Sequence, residues 1–398
     1  MGKKSPPFQA ATSATAPAPA PADPKKRRVW PARADMLLAA LFAVLTAVLL
    51  SWPTGFENRL PTDAVYVKAR ILDVDNAHVR QYGIVREGEQ RVTAVPLSGP
   101  YAGQHITADN VLLGKLEMDK IFAPGDSALL VLSLQNGKIV SAVAKDHWRL
   151  GLQGLLVGLF ALLLAVYAGW TGIKAVLSFF FAALLLWKVL VPLFLRGYDP
   201  LGVTLCVLAV LLAAIIFLVG GVGRRSLAAY LGSLGGVAVA CLLALATAPG
   251  FALPGAVKPF AETLLYTGYG HLDLGRMFLA TICLGASGAI MDVAMDVAAS
   301  QSEVVAHNPG IGPGSLCLSG FRVGRVVVGT MATTLLLAYC GGSLALLMVF
   351  MAQGVPLVSV ATMPYVAAEI ANTLVGSFGL VTAAPLTAIA GALLLRRR

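Results

Sequence analysis

Gly285-Ala286-Ser287-Gly288-Ala289-Ile290-Met291-Asp292-Val293-Ala294-Met295-Asp296-Val297-Ala298-Ala299 closes an apolar run that opens at Leu274. Its five small residues, Gly285 to Ala289, let another backbone approach closely. Asp292 and Asp296 follow four positions apart, and on a helix that spacing stacks both carboxylates on one face. The run is long enough to span a bilayer as a helix. Inside one, each carboxylate costs about 2.5–3.5 kcal/mol on insertion scales, and groups that costly line a cavity or a pathway. One stretch therefore indicates both the fold class and the candidate site.

The remaining composition agrees. Of 398 residues, 57% are hydrophobic and 13% charged, where a soluble domain carries about a quarter charged. The net charge of +10 gathers in Lys25 to Arg28, Arg224-Arg225 and Arg396 to Arg398, each beside an apolar run. The positive-inside rule puts cations there, so no nucleic-acid partner is expected. Cys206, Cys241, Cys283, Cys317 and Cys340 have neither a disulfide framework nor metal-site spacing, and no metal is assigned. The Walker, His-Glu-x-x-His and dinucleotide-binding glycine motifs are absent. Neither a cofactor nor an enzymatic activity is expected.

Outward from Leu274 the chain divides by composition. Residues 1–33, rich in Ala, Pro, Ser and Lys, are expected to be a disordered cytoplasmic tail. Residues 34–52 form the first transmembrane helix. Residues 62–147 alternate in the strand manner, as in Ala64 to Ile71 and Ala128 to Leu134, with turn signals such as Gln135-Asn136-Gly137-Lys138 between. That pattern gives a small all-β domain, OB-like or a sandwich. Residues 149–395 supply seven further spans. They are Leu150–Trp170, Ile173–Leu195, Leu201–Val222, Leu227–Ala248, Leu274–Ala299, Val323 to about Gln353 with a break at Gly341-Gly342, and Ile370–Leu395. Pro249–His271 and Ser300–Gly320 read as loops. The expected fold is an α-helical polytopic membrane protein of about eight transmembrane helices, the β domain lying between the first and second.

Charge orients it. With both termini cytoplasmic, Lys174, Arg224-Arg225, Arg322, Arg325 and the basic C-terminus 396–398 share one side. The β domain is then extracytoplasmic, Asp273 lies at the outer mouth, and Asp292 and Asp296 lie toward the cytoplasmic half. Two carboxylates within reach repel when both are ionised, a behaviour that a proton-coupled carrier uses. The candidate ion or substrate pathway is Asp292, Asp296, Glu303, Asp273 and Ser287. The structural alternative pairs Asp292 with Lys188, Arg322 or Arg325. Gly285, Gly288, Gly324 and Gly329 are at helix-packing spacings. Gly285 to Gly288 also matches the Gly-x-Ser-Gly of rhomboid proteases, but His307 lies in a segment broken by Pro309 and Pro313, and no histidine follows.

Several blocks in order resemble the YibE/F family of bacterial multi-spanning membrane proteins, across roughly residues 62–395. They are Val191-Pro192-Leu193, Gly197-Tyr198-Asp199-Pro200, Gly285 to Ala299, Glu303, Gly329 to Tyr339, Gly376 to Leu380, and Pro385 to Ala388. The chain departs at Thr333, where the family pattern has asparagine, and at Asp296, where it has serine. Asp292 and Glu303 fit. The resemblance implies a multi-pass protein of the bacterial inner membrane and no particular substrate. The expected function is a secondary, ion- or proton-coupled transporter or exporter of a small ion or solute in the lipid bilayer. The alternative is a non-transporting scaffold that presents the β domain to an envelope partner. Glycine-rich faces leave room for a homo-oligomer or a related membrane partner.

Overall fold

The computed structural model describes residues 33–57 and 63–395. The expected disordered tail before Arg33 and the basic C-terminus 396–398 lie outside the described residues. Five strands, β1 (Ala64–Tyr82), β2 (Val85–Pro96), β3 (Ile106–Leu113), β4 (Ser127–Gln135) and β5 (Lys138–His147), close a barrel in the order β1-β2-β3-β5-β4. The sandwich alternative therefore falls away. β1 pairs with β4 along its first half and with β2 along the rest, and register shifts after Ile71 and Asp75 bend it between them. The alternation seen in the sequence is the pleat, so Val67, Ala69, Ile71, Leu130 and Leu132 point inward and are buried. Gln90 and Asn110 are also fully buried. Gln90 accepts the Phe122 N–H at 3.0 Å and donates to the Phe122 carbonyl at 2.9 Å. Asn110 donates to Gln90 at 3.0 Å and to the Lys120 carbonyl at 2.7 Å. These bonds pin the loop before β4 and seat Phe122 in the barrel core.

The helical part holds seven helical stretches long and apolar enough to cross a membrane among the described residues, where the sequence reading expected about eight. The difference lies in Leu150–Leu195, one continuous helical stretch. It comprises α2 (Leu150–Leu185), a π turn (Leu186–Leu190) and α3 (Val191–Leu195). Gly169, with φ 56° and ψ −128°, turns the chain back on itself. Phe160 and Phe179 stand on opposite sides of that turn with ring centroids 6.1 Å apart. On a straight helix they would be about 28 Å apart. The stretch is a helical hairpin, and Gly172, lying against the Leu164 carbonyl, has no room for a Cβ.

α1 (Arg33–Ser51) runs parallel to the second arm of this hairpin. Their contacts follow one another in register: Asp35 with Lys174 at 3.6 Å, Phe42 with Phe181 at 5.0 Å, and Lys188 Nζ donating to the Trp52 carbonyl at 2.9 Å. The end of the array where α1 leads into the barrel is called the barrel end, and the opposite one the far end.

Beyond it come α4 (Pro200–Gly220), α5 (Arg224–Phe251), the short α6 (Ala261–Tyr266), α7 (Leu274–His307), α8 (Pro313–Gly342), α9 (Leu344–Ala352), α10 (Leu357–Thr362) and α11 (Pro364–Leu394). The expected loop Ser300–Gly320 shrinks to the few residues between His307 and Pro313. Polar residues end an apolar run without ending a helix, and Pro313 and Pro364 start theirs at the position that needs no N–H. The break after Gly342 is where the glycine pair predicts it. Small residues set the tightest packing: Gly232 and Gly236 of α5 lie against Thr387 and Ala383 of α11. Gln301, fully buried, donates to the Leu316 and Ala388 carbonyls at 3.1 and 2.9 Å and ties α7, α8 and α11 together.

Candidate functional site

α7 has two unlike faces. Cys283, Ala286, Ile290, Val293, Ala294, Val297 and Ala298 are essentially inaccessible. Thr281, Gly285, Gly288, Asp292, Asp296 and Glu303 are exposed. Steps of three, four and seven residues keep that second set in one stripe. Asp292, Asp296 and Glu303 therefore share a face, as the sequence spacing required, and the face looks out of the helical array rather than into it. Among the described residues none of the three carboxylates has a cation within 4.0 Å.

α8 runs antiparallel beside the stripe. Gly320 lies near Gln301, Gly324 near Val297, and the Tyr339 hydroxyl near Gly285. This register sets Thr330 and Thr334, both exposed, level with Asp292 and Gly288. On the other side, Asp296 lines a cavity of about 110 Å³ with Ile216, Gly220, Arg225, Ser226 and Met295. Arg225 donates to the Gly220 carbonyl at 3.1 Å and makes no ion pair with Asp296.

The structure also places Ser287, His307 and Asp273. Ser287 falls on the buried side, and its hydroxyl donates to the Leu284 carbonyl at 2.7 Å, so it does not join the stripe. His307 ends the same helix, about 30 Å away along the axis, so no serine–histidine dyad forms. Asp273 is the N-cap of α7, accepting the Arg276 N–H at 2.9 Å. The charge partners offered for Asp292 do not reach it. Lys188 is at the barrel end, Arg325 borders a groove with Val381 and Pro385 of α11, and Arg322 is exposed without an ion pair among the described residues. Of the four packing glycines, Gly324 packs on Ala384 and Gly285 faces Tyr339, whereas a Cβ on Gly288 or Gly329 would meet open space.

Two ion pairs at the barrel end escaped the sequence reading. Lys258 bonds Glu369 at 2.5 Å, fastening the loop after α5 to the start of α11. Arg276 pairs with Asp199 at 2.7 Å, and Asp199 also caps α4. Glu369, Tyr339, Ser343, Tyr365 and Thr373 border a cavity of about 200 Å³. Lys258 is the one cation in its loop before His271, a signal that an acid should face it.

Compared with known proteins, the chain matches a family model described as YibE/F-like protein over residues 156–397, which is nearly the whole helical array. Neither the curated proteins nor the solved structures give a match.

Proposed function

Because the chain belongs to the YibE/F-like family of membrane proteins, we propose that its helical array is a secondary, ion- or proton-coupled carrier with Asp292, Asp296 and Glu303 as the charge-bearing face. One observation carries the reading: three carboxylates share an exposed stripe of a long apolar helix and have no counter-cation among the described residues. At bilayer depth such a stripe is tolerated where it lines a watery path or meets another body. Gly288 and Gly329, open beside it, leave room for a second copy or a related membrane chain to close the path. The substrate class is a small cation or a solute moved against protons. Addition of the transported ion to detergent-purified protein is expected to release protons, which a pH indicator in weak buffer reads. A panel of metal ions and small solutes that releases none at any pH would refute a titrating carrier site.

The two arms of the Gly169 hairpin each cross the bilayer in this reading, giving eight crossings, both termini in the bacterial cytoplasm and the barrel outside. The cation bias and the alternation of chain ends between barrel end and far end support it. Tyr167, beside the turn, is 90% exposed. In a variant whose exposed cysteines are serine, Tyr167→Cys is expected to react with an impermeant thiol reagent only from the cytoplasmic face. Ser98→Cys, in the barrel, reacts only from outside. Labelling of both from one side would refute the topology.

A further inference from the structure

A groove of about 470 Å³ opens between α1, the second hairpin arm and α4. Leu45, Val48, Leu185 and Val210 wall it, and Phe181, edge-on to Phe42, closes its inner part. Two cations stand at its barrel end. Lys188 projects from the π turn, an irregularity that recurs at functional sites. Arg196 follows α3. Each donates to one backbone carbonyl, Lys188 to Trp52 and Arg196 to Thr54, both at 2.9 Å. Gly55, at φ 84°, leaves the space that Arg196 occupies. Neither cation has a carboxylate within 4.0 Å among the described residues. An ammonium has three donors and a guanidinium five, so most of their hydrogen-bonding capacity is unspent.

We propose that this groove binds one anionic glycerophospholipid, its acyl chain along the apolar wall and its phosphate on Lys188 and Arg196. Charge and position favour this occupant: apolar side chains wall the groove and two cations close its barrel end, the order of tail and headgroup in an anionic lipid. A zwitterionic lipid brings the same phosphate together with a quaternary ammonium, which the two cations repel, so a lipid of net negative charge is held more tightly. The site is separate from the Asp292 stripe and does not rest on the carrier reading.

The test is a titration of the purified full chain in detergent, with bound lipid counted by native mass spectrometry. The probes are phosphatidylglycerol, phosphatidylcholine with the same acyl chains, and inorganic phosphate. Phosphatidylglycerol is expected to bind once and more tightly than phosphatidylcholine. Each of Lys188→Gln and Arg196→Gln should weaken it about fivefold. Val210→Phe, which fills the groove and leaves both cations, should remove the bound lipid. Equal binding of the two lipids, or phosphatidylglycerol binding unchanged by Val210→Phe, would overturn the proposal. So would phosphate competing as well as the lipid, which would make the site one for a free anion. If the glutamine variants do not survive purification, the Val210→Phe result decides.

Discussion

Asp292→Asn is expected to reduce ion-coupled flux in proteoliposomes to background while the protein inserts and purifies like wild type. Asparagine keeps the shape and removes the charge and the titrating proton. The carboxylate makes no ion pair among the described residues, so no structural bond is lost. Removing an unpaired charge at bilayer depth lifts an insertion cost and does not destabilise the fold. Loss of flux with unchanged stability therefore separates a carrier residue from a packing residue. Glu303→Gln and Asp296→Asn, on the same stripe, should each slow flux. Flux unchanged by Asp292→Asn would sink the carrier reading. If deletion of the barrel then removed the cellular phenotype, the scaffold reading would replace it.

Gly232→Val should cost about 3 kcal/mol or more and lower the thermal midpoint of the purified protein sharply. A Cβ at Gly232 would run into the Thr387 side chain and its backbone, and backbone cannot swing away as a side-chain tip can. Overpacking a close-packed core costs about 1–3 kcal/mol when side chains can adjust. Gly235→Ala is the internal comparison, because there the new methyl meets only the Leu386 side chain, which can rotate. A midpoint for Gly232→Val equal to that of Gly235→Ala would contradict this account of how α5 and α11 hold together.

The elements most legible in the sequence were those with one clear period. Alternation over Ala64 to Ile71 became the barrel wall, and the apolar runs became helices at nearly the positions expected. Hydropathy marks where a chain is apolar and says less about where a helix stops. Ser300 to His307 is polar and still helical, and Pro313 begins a helix inside what composition reads as a loop. The site shows the same division. The spacing of Asp292, Asp296 and Glu303 put them on one face, but no periodicity states whether that face looks into the array or out of it. The burial of Ser287 was within reach, since five residues on a helix turn it about 140° away from Asp292. Asp273 before Leu274-Gly275-Arg276 was equally readable as an N-cap. The π turn at Leu186–Leu190 has no sequence signal beyond the nearby Pro192.

The parallel contact between α1 and the second hairpin arm also constrains how the protein is made. Trp52 and Lys188 are 136 positions apart. At ribosomal speeds of about 5–20 residues per second, roughly 7–27 seconds pass between them. During that interval the barrel and the first hairpin arm are synthesised, and α1, exposed along most of its length, has no neighbour from its own chain. The first helix must wait in lipid or beside the insertion machinery until Lys174, Phe181 and Lys188 arrive to claim it. Assembly of this end of the molecule therefore runs on the timetable of translation, and slowing the ribosome between the barrel and Gly169 lengthens the period in which α1 is open to the wrong partner.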